Sequence, residues 1–369
     1  MELLFRSGSG FAGFRVGVRC TMRCIEPRLP ASYEAVHRYD GAVIHRGRRG
    51  ELVPCAVQPR DLALVRDVRR YKFLTASQLR ELWWPQSSVQ AADRRLLKLF
   101  RAGYLDRFRP LSRRGSFPWT YKLGLEGHRL LKRAGLVERR ERFAPREVFD
   151  YGHVLHELQL NAWILAYRAE AGESFISWEG ETHIEPPREA RARQGVLGVG
   201  DYWSAEGLRD PRPRLVRPDA VLEVARNDGD GAHVLLIEYD RTRRVDKNYE
   251  KIRRYDAFLC WWWQHTSFAD HGRPFVIFVC QDEDQRDRFL SAADRELTGR
   301  LWHPSAPADE HAYIGREGLL FASEVDVHSG SLEARRATRL PPGEAQRRLR
   351  EGVRRVRLPG RPDRLKRAA

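Results

Sequence analysis

Two apolar strands joined by a short polar turn constrain the fold of this chain more than any other feature. The sequence reads LVRPDAVLEV over residues 215–224, NDGDG over 227–231 and HVLLIEYD over 233–240. A turn rich in Asp and Gly between two apolar runs is typical of an antiparallel β-hairpin. The hairpin predicts a sheet that buries apolar side chains, and so a globular domain of α/β or α+β class.

Three carboxylates are expected to lie together at the open end of this hairpin. If Ala225 lies opposite Ala232, the register places Asp219 opposite Glu238. Side chains two apart on a strand share a face, so Asp240 points the same way as Glu238. Such close like charges favour a bound cation, and Mg²⁺ or Mn²⁺ takes oxygen ligands of this kind. The pattern therefore predicts a metal site, unless the strand end simply meets solvent and its carboxylates pair with the arginines that follow.

A long helix is predicted after Asp240, from the stretch RTRRVDKNYEKIRRYDAFLCWWW. Lys247, Lys251 and Tyr255 are spaced by four residues and so share one stripe of that helix. A helix that leaves a strand places its first turns over the carboxyl end of the strand. We therefore expect the lysines to face the carboxylates, whereas a tyrosine at this position is more often a core residue.

Charge is distributed unevenly along a chain whose net charge is +16. Residues 61–142 hold 20 Lys and Arg against 8 Asp and Glu, residues 143–333 hold 23 against 34, and residues 334–369 hold 13 against 3. A basic module and a basic tail thus flank an acidic module. This asymmetry indicates a polyanionic partner for the first module, and double-stranded DNA fits best.

The basic module, residues 60–142, has the element order of a winged helix-turn-helix: three helices, a β-strand, a basic turn, a second strand and a final helix. Its third helix is the predicted groove reader, and the basic turn is the predicted wing tip. Helix and wing together supply the candidate DNA-binding residues Gln90, Arg94, Arg95, Lys98, Arg113 and Arg114. Alternatively, these are ordinary solvated charges on a small α+β domain, or the module docks proteins.

The remaining features of the sequence concern the cellular compartment and the two ends of the chain. No apolar run is long enough for a membrane helix, so no membrane association is expected. Five scattered cysteines without a CxxC pair indicate reduced thiols and a cytoplasmic location. We expect a poorly structured N-terminal arm over 1–59, with Met1 or Met22 as the start, and a basic flexible tail over 333–369. The oligomeric state is left open, with a dimer as one alternative.

The acidic module, residues 150–332, resembles the PD-(D/E)XK nuclease fold. Its element order is αβββαβ, with Asp on one strand in RPDAVLEV and Glu at the end of the next in IEYDRT. A winged helix followed by HELQLNAW, RPDAVLEV and EYDRTRRVDKNYEKIRRY is also similar to the replication-relaxation family of plasmids and integrated elements. This resemblance covers roughly residues 60–300. It implies roles in plasmid replication and DNA relaxation, with double-stranded DNA and plasmid replication proteins as partners.

The nuclease resemblance implies roles for particular residues. Asp219 and Glu238 would hold Mg²⁺ or Mn²⁺ with Asp240 as a further ligand, Lys251 or Lys247 would serve as the catalytic lysine, and Glu157 would be the glutamate of the first helix. One departure is that Asp240 stands where the nuclease pattern has Lys. Two functions follow: a DNA-binding protein with a metal-dependent nicking domain, or a non-catalytic initiator or regulator whose nuclease-like domain is a scaffold.

Overall fold

The computed structural model describes residues 44–112, 115–146, 148, 151–184, 215–226, 231–240, 251–252, 254–256, 258–296, 318–328, 333–336 and 355–359. Within these residues the chain is a mixed α/β protein with two sheets, in line with the predicted fold class. None of its described helices combines the length and the apolarity that crossing a membrane requires. The predicted wing-tip residues Arg113 and Arg114, the candidate Lys247 and residues 186–214 lie outside the described residues.

The first unit, residues 44–146, combines helices with a small sheet. Its elements are β1 (Ile44–Arg46), α1 (Pro59–Tyr71), β2 (Leu74–Thr75), α2 (Ala76–Trp83), α3 (Val89–Arg101), β3 (Leu105–Ser112), β4 (Gly115–Ser116), β5 (Thr120–Leu123) and α4 (Leu125–Arg133). The sheet has the strand order β1-β3-β5-β2, and β4 pairs with β3. The helices bury apolar side chains such as Leu64, Leu79 and Leu96 against one another and against the sheet.

The ends of α2 and α3 are set by capping residues and a glycine in the local sequence. The Thr75 hydroxyl accepts a hydrogen bond from the Gln78 backbone N–H, and the Ser88 hydroxyl accepts one from the Ala91 N–H, both at 3.2 Å. These contacts satisfy N–H groups that a helix start leaves without a partner. The chain leaves α3 through Gly103, whose φ of 81° suits glycine. Capping and termination are therefore encoded locally.

Part of the predicted N-terminal arm belongs to the first unit. Ile44–Arg46 forms β1, an edge strand antiparallel to β3. Arg49 then donates hydrogen bonds to the carbonyl oxygens of Phe100 and Leu105, each at 2.6 Å. Phe100 lies in the last turn of α3 and Leu105 begins β3, so Arg49 joins the arm to both elements. Within the arm predicted over 1–59, residues 44–49 thus contact the first unit through β1 and Arg49.

The second unit, residues 151–359, is built around a seven-stranded sheet. Its elements are α5 (Tyr151–Ala171), β6 (Phe175–Gly180), β7 (Ala220–Ala225), β8 (Ala232–Asp240), a π-helical turn (Phe258–Trp262), β9 (Phe275–Cys280), α6 (Glu283–Glu296), β10 (Leu319–Ser323), α7 (Glu324–His328), β11 (Glu333–Arg336) and β12 (Arg355–Arg357). Residues 251–252 and 254–256 are helical and are called the Lys251 helix below. Strands β6, β7 and β8 are antiparallel neighbours, whereas β8, β9 and β10 run parallel.

The two faces of this sheet bury different clusters because strand side chains alternate. Ile237 and Tyr239 point towards α5 and join a core that includes Trp163 and continues into the first unit. Leu236 points the opposite way and packs with Tyr255 of the Lys251 helix. Glu238 follows Leu236 by two residues, so it lies on the Lys251 side at the end of β8.

Parts of the predicted tail, residues 333–369, belong to the large sheet. Residues 333–336 and 355–357 form β11 and β12, which extend the edge of the large sheet by antiparallel pairing. Leu358 is buried, and the Tyr167 hydroxyl donates a hydrogen bond to the Pro359 carbonyl oxygen. These described residues of the tail therefore contact the second unit.

Candidate functional site

The hairpin register places Asp219 beside Glu238. Ala225 lies opposite Ala232, and the pairing continues to Ala220 opposite Ile237, which confirms the predicted register. One residue further, the Asp219 N–H donates to the Ile237 carbonyl oxygen at 2.8 Å. The sequence therefore brings two carboxylates together on neighbouring strands.

Glu238 is buried among polar partners at the end of β8. Its side chain is 1% exposed. Lys251 Nζ donates a hydrogen bond to Oε2, and the Tyr255 hydroxyl donates one to Oε1 at 2.5 Å. Burial raises the pKa of Glu238 to about 8, and the Lys251 ammonium opposes that rise. A carboxyl group with this pKa can bind and release a proton near neutral pH.

Asp219 is held by the backbone of the neighbouring strand. Its Oδ2 accepts a hydrogen bond from the Tyr239 N–H at 2.8 Å, and His156 Nε2 lies 3.7 Å from the same oxygen. Burial raises the pKa of Asp219, while the positive charges of His156 and Lys251 act in the opposite direction. The hydrogen bond from the backbone fixes Oδ2 of Asp219. The other carboxylate oxygen, Oδ1, does not take part in that bond.

Lys251 carries its charge among the carboxylates, as predicted from the helix stripe. Burial alone would lower its pKa, but the charges of Glu238, Asp219 and Asp240 together raise it above the ordinary lysine value. Lys251 therefore stays protonated at neutral pH. The Asp240 carbonyl oxygen accepts a hydrogen bond from Gln285 Nε2 at 3.4 Å. The roles of Asp240 as ligand and Lys251 as catalyst stay predictions.

The carboxylates of Asp219 and Glu238 are potential ligands of a divalent cation. No group of three or more His, Cys, Asp and Glu side chains placed to hold a metal occurs among the residues that the structure describes. Mg²⁺, however, is commonly bound by one or two carboxylates together with waters and substrate phosphates. Adjacent Asp219 and Glu238 fit that mode, provided that Lys251 shifts from Glu238 Oε2. The three-carboxylate site stays a prediction.

His156 is a neighbour of the site that the sequence reasoning missed. Its Nε2 lies 3.0 Å from the Tyr239 carbonyl oxygen, and its ring contacts the Tyr239 ring edge-on. The resemblance to the nuclease fold instead singled out Glu157 on the same helix. Only the packing of α5 across β8 distinguishes His156 from its neighbours, and no local pattern records that packing.

Glu157 lies in a seam between the two units. Lys72 Nζ donates a hydrogen bond to Glu157 Oε1 at 2.7 Å, and both side chains are largely buried. One turn further along α5, Asn161 Nδ2 donates to the carbonyl oxygens of Tyr71 and Phe73, each at 2.8 Å. These partners lie at the end of α1 and just beyond it. The structure thus gives Glu157 a structural partner in the first unit, and its catalytic role stays a prediction.

The exposed face of α3 presents three of the four predicted groove-reading residues. Gln90, Arg94 and Lys98 are exposed. Arg95 instead points inward: its Nε donates to Asp61 Oδ1 at 3.0 Å, and a terminal nitrogen donates to Asp61 Oδ2. Asp61 is fully buried. DNA contacts by all four residues stay predictions, but Arg95 already has a structural partner.

Replacing Lys98 and Arg95 separately should distinguish these roles. We expect Lys98→Ala to weaken duplex DNA binding and to reduce the salt slope of binding by about 1, without loss of stability. Arg95→Ala should lower the free energy of unfolding by about 2 kcal/mol, because buried Asp61 loses a charged partner. The loss is limited because Asp61 Oδ2 also accepts the Gln58 N–H at 2.7 Å. Urea denaturation measures the stability effect, and a salt titration of DNA affinity measures the binding effect. Equal stability of the two variants would contradict the structural role assigned to Arg95.

Stacked arginines beside α3 are another feature that the sequence reasoning missed. The Arg107 guanidinium lies 4.2 Å from the Trp119 ring centroid and 4.5 Å from that of Phe100. Arg109 lies 4.7 Å from the Trp119 ring. Such cation–π contacts orient long side chains that would otherwise be mobile. The arginines come from strand β3 and the tryptophan from the chain before β5, so only the folded sheet brings them together.

Comparisons with known proteins were made for the whole chain. Searches of curated proteins and of solved structures gave no match. The profile of one family, described as replication-relaxation, matches residues 65–271, which is more than half of the chain. The matched range runs from α1 past the Lys251 helix and so includes Glu157, Asp219, Glu238 and Lys251. The chain belongs to the replication-relaxation family.

Proposed function

We propose that this protein binds double-stranded DNA in the replication or relaxation of a plasmid or other mobile element, and that its second unit cleaves a phosphodiester bond. Membership of the replication-relaxation family supports the replication and mobile-element role. The DNA-binding and cleaving activities rest on the arguments below.

In this proposal the first unit is a winged helix. The order α1, β2, α2, α3, β3, β5 and the sheet order β3-β5-β2 support this assignment. Helix α3 would enter the major groove with Gln90, Arg94 and Lys98 towards the bases and phosphates. The excess of Lys and Arg over residues 61–142 would supply attraction to the phosphate backbone.

The second unit is proposed to be a PD-(D/E)XK-like domain. Helix α5, strands β6, β7 and β8, the Lys251 helix and strand β9 follow one another in the αβββαβ order. One observation carries the cleavage proposal: Lys251 Nζ contacts the carboxylate of Glu238, and the hairpin register places Asp219 beside it. A lysine from the helix thus stands where the usual pattern has a lysine on the strand.

Each side chain of the proposed site would have a separate role in hydrolysis. Tyr255 holds Glu238 Oε1, and the Tyr239 N–H holds Asp219 Oδ2, so both carboxylates keep a fixed orientation. Lys251 would donate a hydrogen bond to a phosphate oxygen as the water oxygen bonds to phosphorus and the bond to the leaving oxygen breaks. Bound by Asp219 and Glu238, Mg²⁺ or Mn²⁺ would lower the pKa of the attacking water and offset charge on the phosphate.

A second candidate function is a non-catalytic replication initiator or transcriptional regulator whose second unit is a scaffold. Two observations favour it. Asp240 stands at the lysine position of the nuclease pattern. Both oxygens of Glu238 already accept hydrogen bonds within the protein, so the carboxyl group is satisfied without a metal.

A supercoiled-plasmid assay tests the proposal. Wild-type protein with Mg²⁺ or Mn²⁺ should convert supercoiled plasmid to the nicked form, and EDTA should abolish the conversion. Glu238→Ala should lose the activity, because the site then lacks one of its two adjacent carboxylates. Glu179→Ala removes an exposed glutamate on β6 and serves as the matched control. DNA binding without nicking in either metal would reject the nuclease function and leave the scaffold function.

A further inference from the structure

A cavity opens beside Glu238 on the Lys251 side of the sheet. Its volume is about 460 Å³. Glu238 and Tyr255 line its inner part, and Leu215 and Val216 line an apolar wall. The residues that enclose it come from the start of the hairpin, the end of β8 and the Lys251 helix. The cavity therefore adjoins the proposed cleavage site.

The charge of the cavity selects an anion. Among the residues that the structure describes, Arg217, Lys251 and Arg254 line it together with the carboxyl group of Glu238. Arg217 is exposed and can reach a ligand from solvent. A guanidinium group binds phosphate through two parallel hydrogen bonds, which an ammonium group does not do. Two arginines next to Lys251 therefore fit a phosphate group better than an apolar ligand.

The volume of the cavity indicates a ligand larger than a phosphate group. Pockets of roughly 300–1,000 Å³ enclose whole small molecules, and the observed volume lies in that range. A phosphate group alone would leave most of the space empty. The apolar wall of Leu215 and Val216 gives a flat base or a sugar a surface to pack on. A nucleotide therefore fits the cavity, because its phosphate suits the basic residues and its sugar and base suit the apolar wall.

We propose that this cavity takes one unpaired nucleotide of a DNA strand, with its phosphate on Arg217 and Arg254 and its base against Leu215 and Val216. A base within a duplex is stacked and paired, and moving it into a pocket costs a few kcal/mol. The site therefore prefers single-stranded or locally melted DNA, whereas α3 contacts the duplex. This inference rests on the proposed function, because it assigns the strand that the cleavage site would receive.

Binding of oligothymidylate of about ten nucleotides, labelled for fluorescence anisotropy, tests the proposal in the presence of EDTA. Arg217→Ala should weaken single-strand binding by about tenfold or more, because a charge-assisted hydrogen-bond pair is lost. Arg288→Ala, which removes an exposed arginine on α6, should leave it nearly unchanged. Affinity for a duplex of the same length should change little in Arg217→Ala. Thymidine 5′-phosphate should compete with the oligonucleotide, whereas inorganic phosphate at the same concentration should not.

The outcomes separate this proposal from the proposed cleavage. Equal single-strand affinity of Arg217→Ala and Arg288→Ala would overturn the nucleotide cavity, even if the plasmid assay shows nicking. Equal competition by inorganic phosphate would also overturn it, because a phosphate alone would then account for binding. Loss of single-strand binding in Arg217→Ala without any nicking by the wild type would support the cavity and reject only the nuclease function.

Discussion

Replacing Lys251 with methionine should reduce plasmid nicking by about 10²–10³-fold, the usual effect of removing one donor to developing charge in a transition state. Methionine keeps most of the side-chain volume but removes the ammonium group that contacts Glu238. The same change removes a positive charge that lowers the pKa of Glu238, so this pKa should rise above its present value of about 8. Initial nicking rates across a range of pH measure both consequences.

Tyr255→Phe is the matched control for this prediction. It removes the other hydrogen bond to Glu238, the one to Oε1, and leaves Lys251 in place. Nicking should fall much less than in Lys251→Met, since no charge is lost. Thermal unfolding of both variants establishes that they are folded. A Lys251→Met protein that nicks plasmid at the wild-type rate would show that the lysine only neutralises a buried carboxyl group.

The pairing of Asp219 with Glu238 could be predicted because every step of the inference is local. The Asp- and Gly-rich turn fixes the register of a hairpin, and alternation along each strand fixes which face a residue occupies. The spacing of Lys251 and Tyr255 then assigns both to one side of the following helix. Turn type, strand period and helix period can all be recognised in the sequence.

The contacts that sequence reasoning did not foresee depend instead on partners far along the chain. Arg95 bonds Asp61 across the first unit, and Glu157 bonds Lys72 of a different unit. A buried ion pair and an exposed DNA contact require the same charged residue types, so composition cannot separate them. The strands β11 and β12 were missed because EARR and RVR are short and largely basic, without an apolar period. Their pairing depends on the sheet edge that is already formed.

The seam between the units explains why a charged residue of α5 need not serve the carboxylate site. Lys72 adopts a positive φ of 61° directly after α1, a conformation that non-glycine residues rarely adopt. This backbone turn brings its ammonium group to Glu157. Close by, Gln78 Nε2 donates to the Leu158 carbonyl oxygen at 3.1 Å, and the Tyr71 and Trp178 rings lie 4.4 Å apart. Polar and apolar contacts together join the first unit to α5 and β6.

Breaking the Lys72–Glu157 pair from the lysine side should lower the free energy of unfolding by about 3–5 kcal/mol, since Glu157 would remain buried without a counter-charge. Lys72→Met keeps the side-chain length and the same backbone conformation, so the change reports on the charge. Urea denaturation followed by circular dichroism measures the loss. The effect should appear in the intact chain, because the seam exists only when both units are folded together.

The double variant Lys72→Met/Glu157→Leu decides whether the lost stability comes from an uncompensated charge. Replacing both members of a buried pair with apolar residues is often neutral or stabilising. The double variant should therefore recover most of the stability that Lys72→Met loses, giving a large coupling energy between the two positions. Additive losses would mean that the two side chains stabilise the seam independently. If the double variant also keeps wild-type nicking, Glu157 acts in joining the units and not in catalysis, and the chemistry of the site rests with Asp219, Glu238 and Lys251.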